Sequence, residues 1–256
     1  MDDRRALIRA LTLHVEGLRT LGVRTLPVTT TGPQSPPKAD PPLADTVSTT
    51  RHGGSAKQVG GHGPQFTPEA TRLDRLAQLA RAVVACRRCS LYRTRTHAVI
   101  SDGSPHAQLV FVGEAPGREE DLQGRPFVGA AGQLLTKMIV AIGMKREEVY
   151  ICNVLKDRPP ANRTPLPEEI DACRSFLEEQ LALVQPRVIC TLGAVATKTL
   201  LGPQVTISAV RGQVRDYRGV PVVPTFHPAY LLRNPSAKRL AWADLKRVKS
   251  LLENSP

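Results

Sequence analysis

The stretch from Gln108 to Ile142 constrains this chain more than any other. Leu109-Val110-Phe111-Val112 is an apolar run of strand length, and Gly113 to Gly132 then reads GEAPGREEDLQGRPFVGAAG. Beyond it, Leu134, Leu135, Met138, Ile139 and Ile142 recur at helical spacing. The pattern predicts a buried strand, a long glycine-rich loop and a helix. Five glycines and two prolines in that loop let the backbone approach a ligand closely and present N–H groups at the helix start. The loop also carries Glu114, Glu119, Glu120, Asp121, Arg125 and Phe127, more chemistry than a plain connection needs. The simpler alternative is the nucleotide loop of a dinucleotide-binding fold, but the stretch contains neither GxGxxG nor GxxxxGK[ST]. It reads as an active-site loop.

The same alternation continues downstream. Val149 to Leu155 predicts a second strand, 167–184 a helix opened by Pro167 and two acids, and Arg187 to Leu192 a third strand. A short helix, AVATKTLL, follows Gly193, and a hairpin turns at Arg218-Gly219. The last helix spans about 236–253. Strands alternating with helices predict an α/β fold with a parallel sheet covered on both faces. In such sheets ligands sit beyond the carboxyl ends of the strands. The loops 113–132, 153–165, 193–195 and 226–234 leave those ends, so Glu114, Phe127, Asn153, Asn162 and His227 are expected around one crevice.

Ahead of this domain, residues 1–26 read as an amphipathic helix, with Leu7, Ala10, Leu11, Leu18 and Leu21 on one face over 3–22. It either docks on the main domain or binds a partner protein. From Pro27 to Pro68 there are eight prolines, six glycines and one aromatic, which predicts a flexible linker over 27–68. The main domain is expected over 69–256. No apolar run is long enough to span a membrane and no secretory cleavage pattern opens the chain, so a cytoplasmic protein is expected; a monomer is expected as well. In that setting five cysteines point to metal or free thiols before disulfides.

Charge narrows the partner. The chain carries +12, and residues 1–70 hold eight Lys/Arg against six Asp/Glu, which leaves +10 on residues 71–256. A basic folded domain predicts a polyanion, nucleic acid above all. Phe127, between Pro126 and Gly129, can plug its loop or stack on a flat ring. Asn153, on an otherwise apolar strand, can offer donor and acceptor together to a base edge. His227 sits at a strand end before Pro228, where it can hydrogen-bond a developing anion. Cys86 and Cys89 form a CxxC pair, which alone fits zinc, redox chemistry or an iron–sulfur cluster.

GEAPGREEDLQGRPFVGAAGQLL, then NVLKDRPPANRTPLP, then FHPAYLLRNP resemble, in this order, the iron–sulfur uracil-DNA glycosylases called family 4. The resemblance covers about residues 80–254. It implies a three-layer α/β/α sandwich with a central parallel sheet, acting on uracil-containing DNA to release uracil and leave an abasic site. It implies that Phe127 stacks on uracil, Asn153 reads its edge, His227 stabilises the uracil anion, and Glu114 helps hold base and loop. Glu120 would crowd the C5 side and disfavour thymine. Where well-known relatives place a water-orienting aspartate, this chain has Ala115, and Asn162 is the implied substitute. Leu231, Leu232 and Arg233 would enter the minor groove, with Arg163 completing the DNA-binding set.

The resemblance further implies a [4Fe–4S] cluster on Cys86, Cys89 and Cys173. Its remaining ligand should be a cysteine in Lys-Cys-Arg-Pro-Pro, and here that position is Asp157. A carboxylate is a harder ligand than a thiolate, so a labile fourth site is expected. Cys152 and Cys190 lie in apolar strands and read as core. Two rival functions remain: a related glycosylase for another deaminated or mismatched base, and a module that binds or traps uracil-DNA without turnover. The trapping branch carries an inserted basic loop with an extra histidine near the second motif, and no such insertion occurs here.

Overall fold

The structure, a computed structural model, describes residues 68–254. The expected N-terminal helix and almost all of the expected linker lie outside those residues. In chain order the main elements are α1 (Pro68–Ala85), β1 (Asp102–Gly103), β2 (Leu109–Gly113), α2 (Arg118–Gln123), α3 (Ala130–Ala141), β3 (Tyr150–Asn153) and α4 (Pro167–Val184). They continue with β4 (Val188–Leu192), α5 (Ala194–Leu201), α6 (Ile207–Val210), β5 (Arg215–Tyr217), β6 (Val220–Thr225), α7 (Pro228–Arg233) and α8 (Lys238–Asn254).

The strands form one sheet in the order β1-β3-β2-β4-β6-β5. The inner pairs β3–β2, β2–β4 and β4–β6 are parallel, and the two edges β1 and β5 are antiparallel. Burial on both faces explains why β2 and β4 read as unbroken apolar runs. Side chains alternate between two cores. Phe111, Ile151, Cys190 and Val223 pack with Leu135 and Ile139 of α3 and Leu245 and Val248 of α8. Val110, Val112, Cys152 and Ile189 pack with Cys173, Leu177 and Leu181 of α4 and Ala196 and Leu200 of α5. The result is the expected helix–sheet–helix sandwich, and Cys152 and Cys190 are core residues at 0% exposure.

Three local departures have physical causes. The glycine-rich loop contains a short helix, α2, with Glu119, Glu120 and Asp121 in its first turn, where acids favour the helix dipole. Gly124, at φ +68, ends it in a left-handed conformation that favours glycine. The strand expected over 149–155 ends at Asn153, although the N–H groups of Val154 and Leu155 still donate to Gly113 O and Glu114 O at 3.0 Å. The edge strand β1 is only two residues long, too short to leave a periodic trace.

Candidate active site

The loops after β2, β3 and β6 enclose a cleft of about 490 Å³ at the carboxyl edge of the sheet. Glu114, Ala115, Glu120, Phe127, Asn153, Asn162, Arg163, His227 and Arg233 all line it, so topology brings the expected side chains together. The cleft floor is tightly specified. A Cβ at Gly113 would come within 2.3 Å of Asn153 Oδ1 and 2.5 Å of Phe127 Cζ, so only glycine lets both side chains lie over the end of β2. A Cβ at Gly132 would sit 1.8 Å from the Phe127 carbonyl, which ties the loop to the start of α3.

Asn153 is 2% exposed, and its Oδ1 has no hydrogen-bond partner among the described residues. A buried acceptor left unpaired costs about 1–3 kcal/mol, so it calls for a donor that arrives with a ligand. Phe127 lies beside it at φ +53, a strained conformation for an aromatic residue, and is itself only 6% exposed. Its ring centroid is 5.6 Å from that of His227. Phe127 also packs in the core cluster with Leu135, Met138 and Ile139 of α3, so it plugs its loop as well as lining the cleft.

The loop is closed by Glu120. Its Oε1 accepts from Val128 N and Gly129 N at 2.9 Å, and its Oε2 accepts from Gly117 N at 3.1 Å. Glu120 is thus a clamp across the loop as well as a wall of the cleft. His227 Nδ1 accepts from Ala229 N at 3.1 Å, where Pro228 opens α7. An accepting Nδ1 assigns the ring proton to Nε2. Burial, with the nearby Arg233 charge, lowers the His227 pKa to about 4 against the opposing pull of Glu120, so the ring is neutral near pH 7. Burial lifts the Glu114 carboxyl above its ordinary value.

Asn162 sits at φ +54 in the turn after Pro160, and its Oδ1 accepts from Arg158 Nε at 2.7 Å. Two of the residues expected at the DNA also serve the fold. Arg163 is bound through both terminal nitrogens to Glu169, at 2.6 and 2.9 Å, so it braces the second loop against α4. Leu231 is 1% exposed within the core below α7, because that face of the short helix turns inward. Leu232, one position on, is 43% exposed and Arg233 lines the cleft, so the outward pair is Leu232 and Arg233.

Residues 100–246 match the family model described as the uracil DNA glycosylase superfamily. The chain belongs to that superfamily, on its type-4 branch. It is 46% identical over 187 residues to the type-4 uracil-DNA glycosylase of Thermotoga maritima, covering 72% of this chain and 97% of that protein. The type-4 uracil-DNA glycosylase of Archaeoglobus fulgidus is 43% identical over 187 residues, covering 70% and 94%. That of Sulfurisphaera tokodaii is 43% identical over 188 residues, covering 70% and 86%.

The position where family 4 is expected to bind its cluster looks different in this superfamily member. Cys86 and Cys89 follow α1 and are half-buried, while Cys173 on α4 is 4% exposed. Asp157 is also 4% exposed, and both its oxygens accept from Arg95 Nη1 at 2.9 Å. Arg95 Nη2 donates in turn to Val84 O, at the end of the helix that leads into Cys86. Among the described residues no group of three or more His, Cys, Asp or Glu side chains is gathered to hold a metal ion. In this arrangement both Asp157 oxygens are taken by Arg95, so the carboxylate is not free to act as a fourth ligand. Arg95 escaped the sequence reading because it lies 62 residues from its partner. Among the described residues no helix is long and apolar enough to cross a membrane.

Proposed function

We propose that this chain hydrolyses the N-glycosidic bond of deoxyuridine in DNA, releasing uracil and leaving an abasic site. The observation that carries the reading is the buried, unpaired Oδ1 of Asn153 beside the Phe127 ring. Uracil offers an N3–H donor and an O4 acceptor side by side, which complements an amide oxygen and its NH2. Cytosine presents the opposite pattern at those atoms and would leave the oxygen facing an acceptor. Phe127 supplies the apolar face against which the ring stacks.

Such an enzyme must draw the nucleotide out of the stack, a cost of a few kcal/mol that is smallest at mismatched or single-stranded sites. As the C1′–N1 bond breaks, its electron pair stays on uracil, and water adds to C1′ with loss of a proton. Neutral His227 can donate Nε2–H to the developing uracil anion, a preorganised contact of the kind that favours the transition state. Ala115 gives no carboxylate to steer the water. Asn162, held by Arg158, retains its NH2 group and a free lone pair for that task. Glu120 sets the wall on the C5 side through its hold on the loop. Leu232 and Arg233 face the DNA, and the basic surface supplies phosphate contacts.

Purified protein with a uracil-containing oligonucleotide should release free uracil and leave an alkali-labile site without cutting the strand. Release of hypoxanthine or thymine in preference to uracil, or a covalent protein–DNA adduct without turnover, would overturn the reading.

A further inference from the structure

Lys156 lies in the middle of the second motif, yet its side chain does not reach the cleft. It is 1% exposed, and its ammonium donates to the backbone carbonyl of Asn153 at 2.6 Å and to Gln180 Oε1 of α4. A buried lysine amine resting on two neutral oxygens, its pKa pushed down by burial, is a costly filling for a space that a leucine or methionine could occupy. The placement therefore asks for a role beyond packing.

We propose that Lys156 is a positioning residue for Asn153. The Asn153 amide cannot steady itself, because the oxygen that would anchor it is the one left free for the ligand. Its aim depends on the backbone at the end of β3. On one side that backbone is tied to β2 by Val154 N donating to Gly113 O at 3.0 Å. On the other side, beyond the short β1–β3 pairing at Tyr150 and Ile151, Lys156 holds the Asn153 carbonyl. Gln180 then links this clamp to the beginning of the same strand, since its Nε2 donates to Tyr150 Oη at 2.9 Å and to Ile100 O at 3.1 Å. One side chain of α4 thus references both ends of a four-residue strand. Recognition of a base edge tolerates only about 0.5 Å of drift, which is the precision such a shell supplies.

The inference rests on the uracil-DNA glycosylase reading, and the unaltered protein controls for it: no uracil release from any oligonucleotide would be a failure of that reading and not of this one. Lys156→Met keeps length and removes both hydrogen bonds. Partners that orient a functional side chain typically cost about 10–100-fold when removed, and a single-turnover loss of that size is expected. Inhibition by free uracil should weaken in parallel, while affinity for abasic DNA stays within about twofold. The decisive comparison is made in an Asn153→Ala background, where adding Lys156→Met should change the rate by less than about twofold. The same fractional loss in both backgrounds would show a merely structural lysine and overturn the proposal. If Lys156→Met does not fold, Gln180→Met, which leaves the clamp without its anchor, carries the same cycle. It should show a smaller loss that also vanishes with Asn153→Ala, and an undiminished loss there would overturn the proposal equally.

Discussion

Two regions of this molecule gather polar groups out of water, and they differ in whether those groups are already satisfied. At the cleft, Asn153 keeps an unpaired buried oxygen, and Phe127 is held beside it in a strained backbone conformation. At the cysteine region, Asp157 has both oxygens on Arg95, and Arg95 continues to the end of α1. Unmet hydrogen-bonding capacity marks a place built for something that arrives, because a fold does not leave a buried acceptor idle without a reason. A closed ion pair marks a cross-link. By that criterion the cleft is organised for a ligand, and the loop at Asp157 is organised to join α1 to the second motif.

The largest effect that would break this comparison is on stability. Asp157→Ala leaves the Arg95 guanidinium, whose side chain is 14% exposed, without its partner. Breaking a buried pair on one side typically costs about 3–5 kcal/mol. Thermal or denaturant unfolding should show a loss of that size, with the single-turnover rate of folded protein nearly unchanged. Iron and sulfide analysis of anaerobically prepared protein should find no stoichiometric cluster in the unaltered chain, and Asp157→Cys should raise the iron content. A full cluster in the unaltered protein would show that Arg95 yields to iron, and the distinction between the two regions would fail.

Substitutions in the cleft should have the opposite signature. Asn153→Ala and His227→Ala are each expected to slow single-turnover excision by about 10²–10³-fold, or about 2.7–4 kcal/mol, from loss of one donor or acceptor aimed at the reacting base. Binding to abasic DNA should change little, and His227→Ala should cost only about 1 kcal/mol of stability from the lost cap on Ala229 N. Near wild-type rates in either variant would remove the cleft from the chemistry.

A smaller effect is expected at the rim. Leu232→Ala removes an exposed side chain whose full burial is worth about 1.5–3 kcal/mol, so excision from duplex should fall while excision from single strands should not. Leu231→Ala should instead lower the melting temperature, as for a core leucine. Equal losses on both DNA forms for Leu232→Ala would rule out a role in filling the duplex.

The contrast between Leu231 and Leu232 shows where the sequence was legible and where it was not. Strands β2 and β4 could be read because burial on both faces leaves an unbroken apolar run. Which cleft residues converge followed from parallel topology alone. The phase of α7 did not, since six residues carry too few turns to reveal which leucine faces the core. Nor did the pairings Arg163–Glu169, Arg95–Asp157 and Lys156–Asn153, which decide whether a polar group is available to a ligand or consumed by the fold. Residue types in a motif do not encode that difference, because it depends on what the rest of the chain folds against them. Glu120 was read as a wall, and the three backbone N–H groups it accepts from became visible only once the loop was closed.

The smallest effect is expected where a histidine would ordinarily give a large one. His227 has its pKa lowered to about 4 from 6.5, so its neutral form persists through the physiological range. If neutral His227 is the form that donates to the uracil anion, the single-turnover rate should stay flat between about pH 8 and pH 6, with no inflection at an ordinary histidine pKa. Stability behaves differently. Between about pH 6.5 and pH 4 the unfolded chain takes up a proton that the folded ring refuses, so the contribution of His227 is full above that window and is lost as pH falls through it. Glu114, lifted by burial, has the opposite sign: its contribution is present at low pH and is lost as pH rises through its folded pKa. A bare melting curve mixes the two, and comparison with His227→Gln separates them. The variant should lose less stability than the unaltered protein on going from pH 6.5 to pH 4.5. A rate that halves near pH 6.5 in the unaltered protein, and no longer does so in His227→Gln, would show that the ring titrates freely and that the cleft does not hold it neutral.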